Sequence, residues 1–169
     1  MRKLAILAAA LIASAGAAAA QTPPSPVASS PSPPPYGAPI DLARAQKAIS
    51  ASIAEATRRG WTMSVVVVDS GTNLVALARM DGAQLAAVVI SEHKARTAVA
   101  FRRPTRAFEE AARAGAAVLS LDGVIASAGG VPLIEDGKLI GAIGCSGGAS
   151  TEDEATCLAG AATINGAAN

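Results

Sequence analysis

The chain has 169 residues and 51% of them are hydrophobic, yet it holds one Tyr, one Trp and two Phe, so its core must be built from Val, Ile, Leu and Ala. The formal net charge of +1 offers no basic excess for a phosphate backbone, which argues against a nucleic-acid partner. Roughly 130 residues follow the Pro-rich stretch, enough for one such core and no more.

The chain opens on Met1-Arg2-Lys3, an apolar run from Leu4 to Ala13, and small residues through Ala20. That is the charged, apolar and small-residue order of a secretory signal, with cleavage expected after Ala20 through the Ala18/Ala20 pair. As a membrane anchor the run is short, and it is mostly alanine. Loss of Arg2 and Lys3 would leave 12 basic against 13 acidic residues. No later segment is long and apolar enough to span a bilayer. The expected locale is periplasmic or secreted. Residues 22–39 hold eight prolines among Ser, Ala and Gly, the composition of an extended tether (21–39). The folded domain is expected from Ile40 to the end, residues 40–169.

Asp41 caps a predicted helix whose apolar positions Leu42, Ala45, Ile49, Ile53 and Ala56 recur at spacings of three and four, with Gly60 as its stop. Thr62 to Val68 is β-branched and continuous, a buried strand. A turn at 69–73 returns the chain as a second strand, Leu74 to Met80. A long helix is predicted from Gln84 to Ala100 and another from Thr105 to Ala114, separated by Pro104 and closed by Gly115. Leu121 to Ser127 reads as a short strand. Asp136-Gly137 joins Val131–Glu135 to Lys138–Cys145 as a hairpin. Thr151-Glu152-Asp153-Glu154 reads as a capping box before the last helix, to about Asn165. The order predicts an α/β sandwich: a five-stranded antiparallel sheet with the terminal helices packed on one face.

Gly144-Cys145-Ser146-Gly147-Gly148 matches the G-x-S-x-G elbow of serine hydrolases. Such an elbow needs a histidine later in the chain, and none follows; the sole histidine, His93, lies upstream. The glycine spacing also fails the dinucleotide pattern. What survives is a turn whose Gly147 and Gly148 N–H groups, beside a helix start, could receive a carboxylate or phosphate. Any such turn offers these groups. Cys145 and Cys157 could pair in an oxidising compartment, but they read more readily as two small buried thiols, because Cys157 sits on a helix leaving the strand of Cys145.

Leu85, Val89, His93, Thr97 and Phe101 lie four apart on the long helix and form one row. A lone histidine on such a row is usually a satisfied boundary residue and cannot build a multi-histidine metal site, but one imidazole suffices as an axial ligand of haem iron. Lys94, Arg96, Arg102, Arg103 and Arg106 cluster around the end of the same helix. They suit a solvated helix C-terminus, or guanidinium recognition of carboxylates such as haem propionates.

From Ile40 to Ile164 the chain resembles the GlcG/HbpS haem-binding family. The likeness rests on Lys94-Ala95-Arg96-Thr97-Ala98, Phe101 with Pro104-Thr105, Gly129-Gly130-Val131-Pro132-Leu133, Asp136-Gly137, Gly141 to Gly148, Asp153-Glu154 and Ala159-Gly160, in that order. The resemblance implies a profilin-like fold, homo-oligomers and, for some exported members, haem binding in haem, iron or redox sensing. It carries over Lys94, Thr97 and Phe101 as pocket-lining residues, with Thr97 a contact for haem iron. His93 is outside that motif and rests on the row alone. The first expectation is therefore an exported haem-binding protein, with His93 or Thr97 at the iron and Arg102, Arg103 and Arg106 at the propionates. The rival readings are an enzyme or binding protein for a small organic acid or other cofactor, held at Gly147-Gly148, and a sensory or structural oligomer.

Overall fold

The computed structural model describes residues 32–165. The expected signal, the first part of the tether and the last four residues lie outside them. Four helices, α1 (Leu42–Arg59), α2 (Ala87–Ala100), α3 (Arg106–Ala114) and α4 (Ser150–Asn165), accompany four strands, β1 (Ser64–Asp69), β2 (Leu74–Arg79), β3 (Gly130–Glu135) and β4 (Lys138–Ser146). The antiparallel sheet has the order β2-β1-β4-β3. This is the α/β sandwich expected, with one strand fewer.

The central pair explains the composition. In β1, Val65 to Val68 are all fully buried, because both faces of this strand are covered. Val65 and Val67 join Ile143 and Cys145 of β4 under α1 and α4, against Ala45, Ala48, Ile49, Ala56, Cys157 and Ala161. Val66 and Val68 face the other way, with Leu139 and Ala142, under Ala95, Ala98 and Val99 of α2. The terminal helices thus share one face, as the pattern predicts, and α2 alone covers the other. Small side chains set the spacing. A Cβ at Gly144 would collide with the Ser91 carbonyl, and one at Gly130 with that of Lys94, so the backbone of α2 rests directly on the sheet.

The fifth strand expected over Leu121–Ser127 is absent. Ala116–Ser120 forms a 3-10 turn, and the chain then returns to β3 without a partner strand. One side chain takes up backbone groups of this stretch, and a second holds the residue just after it. Thr97 Oγ1 donates to the Gly123 carbonyl at 2.9 Å and accepts the Ile125 N–H at 3.2 Å. Glu109 accepts the Ala128 N–H at 2.6 Å. The edge of β3 is also occupied. Thr105 bonds both the N–H and the carbonyl of Gly130, and Asn165 accepts from Ile134 N–H while donating to the Pro132 carbonyl. An edge satisfied by the Thr105 backbone and hydroxyl and by the Asn165 side chain leaves no ladder for a further strand.

The cysteines form a disulfide, which corrects the expectation of two thiols. Cys145 and Cys157 lie 5.6 Å apart at Cα and both are fully buried. The reason is the path of α4. It folds back over the sheet face to which Cys145 points, and brings Cys157, two turns in, above it. The capping box is shifted as well. The helix opens at Ser150, and it is Glu152 that reaches back to the Ala149 N–H at 3.0 Å.

The Pro-rich segment does not end free of the fold. Before Ile40, the Leu139 N–H donates to the Pro35 carbonyl and the Gly37 N–H to the Leu139 carbonyl, each at 2.8 Å. This parallel bridge continues the sheet beside β4 beyond the end of β1. The packed chain therefore starts several residues before Ile40.

Candidate functional site

α2 presents two unlike faces. The inner one carries Ala87, Ser91, Ala95 and Ala98 into the core. The outer one carries Val89, 70% exposed, and then the exposed His93, while Leu85, 81% exposed, lies in the turn just before the helix, which starts at Ala87 and not at Gln84. Val89, Glu92, His93 and Arg96 line a shallow depression of about 260 Å³. Arg96 donates to Glu92 at 2.7 Å along its rim. The row predicted from the sequence is real, but it faces outward, and it breaks at Thr97. That residue is buried beneath Gly123–Ile125, and its hydroxyl is engaged with both. Phe101 is half-buried and packs edge-on against Phe108, centroids 5.1 Å apart.

Lys94 points to the opposite side from His93. It is 1% exposed, and its ammonium donates to Asp153 Oδ2 at 2.6 Å. Asp153 Oδ1 accepts the Gly148 N–H at 3.0 Å. Burial pushes the Asp153 carboxyl up, while the Lys94 ammonium and the N–H groups of Gly148 and Gly147 draw it back. The ammonium passes close to Gly129, where a Cβ would stand 3.0 Å from Nζ. Lys94 is thus an internal tie between α2 and the start of α4.

The basic residues disperse. Arg106 forms an ion pair with Glu154, its Nε donating at 2.7 Å. Arg103 lies over the Phe108 ring at 5.5 Å. Arg102 stacks on Tyr36 at 5.3 Å. Arg96, which lies in the depression beside His93, is the guanidinium best placed for a ligand there. The sequence places it in the basic cluster and Val89 in the apolar row, but assigns the propionates to Arg102, Arg103 and Arg106 and leaves Glu92 out. The i+3 spacing of Arg96 from His93 was the available signal.

At Gly147-Gly148 the chain supplies its own anions. The N–H groups of Gly148 and Ala149 go to Asp153 and Glu152, and a Cβ at Gly148 would run into the Glu152 carboxylate. Among the described residues, no group of three or more His, Cys, Asp and Glu side chains could hold a metal ion.

Residues 40–162 match the family model described as haem degrading protein HbpS-like, and the chain belongs to that family. It is 41% identical over 99 residues to Protein GlcG of Escherichia coli K12, which covers 58% of this chain and 74% of that protein. The crystal structure of HbpS superposes with a TM-score of 0.71 at 31% identity, covering 76% of this chain and 92% of that one. That of a PduOC:heme complex superposes at 0.70 with 28% identity, covering 75% and 96%.

Proposed function

We propose that this is an exported haem-binding protein whose ligand lies along the outer face of α2, with His93 at the iron. The observation that carries the reading is the exposed imidazole in the Val89–Arg96 depression. Apolar Leu85 and Val89 lie on one side of it and a guanidinium on the other, which suits an apolar ring with acidic edge groups. The family and the haem complex of one structural relative support the ligand class. A bound haem would supply redox chemistry at its iron. The chain's own residues supply a neutral nitrogen ligand, apolar contact and charge at the rim.

Between the two iron contacts expected from the sequence, the geometry favours His93. Thr97 Oγ1 already donates one hydrogen bond and accepts another, and would have to give them up. Haemin titration of the intact chain tests the reading. His93→Ala should shift the Soret band and weaken binding at least tenfold, whereas Thr97→Val should leave the band in place while lowering thermal stability. Wild-type protein without a saturable Soret change would overturn the proposal.

Export is supported by the leader-like start and by the buried disulfide, a bond that persists in oxidising compartments. A depression this shallow leaves most of a macrocycle uncovered. A second copy of the chain would cover it, so the reading includes a homo-oligomer.

A further inference from the structure

α2 does not cover the whole of its side of the sheet. The apolar cluster beneath it draws on β1, β4 and β3, and no residue of the edge strand β2 joins it. β2 is packed on its other face, where Ala76 and Ala78 lie against the α1 and α4 cluster. Strand register says which side chains stand on the open face. Ser64 of β1 points at α2, since its hydroxyl accepts from Ser91 Oγ at 3.1 Å, and Val66 lies in the cluster beneath that helix. Opposed residues of an antiparallel pair project to the same face. Arg79 opposes Ser64 and Leu77 opposes Val66, so both project on the α2 side. Both are exposed, Leu77 by 41%.

The flank of α2 that overlooks them belongs to the depression around His93. Lys94 leaves α2 on the β3 side, where it reaches Gly129 and Asp153. By helical periodicity Val88, Glu92 and Arg96 leave on the opposite side. β2 and β3 are the two edges of the sheet, so that side overlooks β2. Glu92 and Arg96 also line the depression.

Arg79 differs from the other arginines among the described residues. Each of those holds a carboxylate or lies over an aromatic ring. Arg79 has no ion pair, side-chain hydrogen bond or ring contact among them. Glu92, on the flank above, is taken by Arg96, whose Nη2 and Nε donate at 2.7 and 2.9 Å. A ligand carboxylate would have to draw Arg96 from Glu92, whereas at Arg79 it displaces only water.

We propose that Arg79 holds the carboxylate edge of the ligand and that Leu77 beside it supplies an apolar floor, so that the site extends from the outer face of α2 into the corner between that helix and the open face of β2. The inference rests on the haem reading and adds the uncommitted cation that the depression itself lacks.

The test titrates the intact wild-type chain, Arg79→Ala and Arg79→Lys with haemin and with haemin dimethyl ester, whose propionates are masked. Arg79→Ala should bind haemin about fivefold more weakly, the upper range of an exposed ion pair, and the difference should shrink in high salt. Arg79→Lys should keep most of the wild-type affinity. All three should bind the dimethyl ester alike. A normal Soret titration in which Arg79→Ala binds haemin as tightly as wild type, or loses haemin and ester equally, overturns the assignment and leaves the haem reading standing. If haemin gives no Soret change in any variant, the haem reading fails. Fluorescence anisotropy of metal-free protoporphyrin, which keeps the propionates, then decides the contact: weaker binding to Arg79→Ala than to wild type supports it, and equal binding or none overturns it.

Discussion

Arg102, whose backbone is left-handed at φ 53° and whose guanidinium lies over Tyr36, allows backbone and side-chain contributions to be separated. A left-handed conformation costs a non-glycine residue about 1–2 kcal/mol, and an exposed cation–π contact contributes about 0.5–1 kcal/mol. Arg102→Ala keeps the strain and loses the stacking, so it should lower stability by somewhat less than about 1 kcal/mol. Arg102→Gly loses the same stacking but relieves the backbone, so it should match or exceed wild type. Denaturant midpoints of the two variants check this, and glycine no more stable than alanine there would contradict the strain. Lys94 shows a different balance. A buried ammonium must be paired, and the Asp153 carboxylate that pairs with it also closes the Gly148 turn. One carboxylate thereby serves two demands, and the turn that looks like an anion site in the sequence is already filled.

Among the elements, the tie between β4 and α4 carries a covalent bond. Cys145 and Cys157 are 12 residues apart, and closing a loop of that length stabilises by about 3 kcal/mol in the chain-entropy account. The Cys145→Ala/Cys157→Ala variant should lose about 2–3 kcal/mol of unfolding free energy in a denaturant titration, with its fold retained. The return from α3 depends on protonation instead. Burial would raise the Glu109 carboxyl, but the Ala128 N–H, the Ser150 hydroxyl, Arg113 and Arg106 outweigh it and hold it below the ordinary glutamate value. A lowered folded pKa contributes stability above the unfolded value, and that stability is lost as pH falls through the folded one. Wild type should therefore lose stability on acidification below about pH 4.5, and Glu109→Gln should flatten that part of the profile, as thermal melts at stepped pH will read.

The legibility of these elements differs for physical reasons. The Asp136-Gly137 hairpin was readable because its turn needs left-handed backbone at both residues, and they have φ of 49° and 72°. The β1 run was readable as buried because four consecutive valines suit a strand covered on both faces. The supposed strand at 121–127 was not, because Thr97 takes up its hydrogen bonds and Glu109 that of Ala128 just after it, side chains distant in sequence with no periodicity to announce them. The disulfide depended on how α4 folds back, which local pattern does not specify. The α2 row was found, but its direction was not. Spacing fixes which residues share a face, and only the glycines beneath the helix decide which face is inner.

At the scale of the whole molecule, a core made of Ala, Val, Leu and Ile leaves large apolar side chains outside. Leu85 just before α2 and Val89 on it, Leu74 and Leu77 on the edge strand β2, and Leu119 beyond α3 are all exposed. Apolar groups spread over several faces suit burial between copies. Light scattering at micromolar concentration should return a multiple of the chain mass, and a clean monomer mass would count against assembly.

The seating of α2 has a last consequence. Gly130 and Gly144 let its backbone rest on the sheet, and Ala95, Ala98 and Val99 pack beneath it, so what the outer row contains has little bearing on whether the helix docks. Leu85, Val89, His93 and Arg96 behave as an interchangeable faceplate on a fixed mount. If the ligand lies there as proposed, its recognition chemistry can be rewritten, by selection or by a protein engineer, with the interior left untouched.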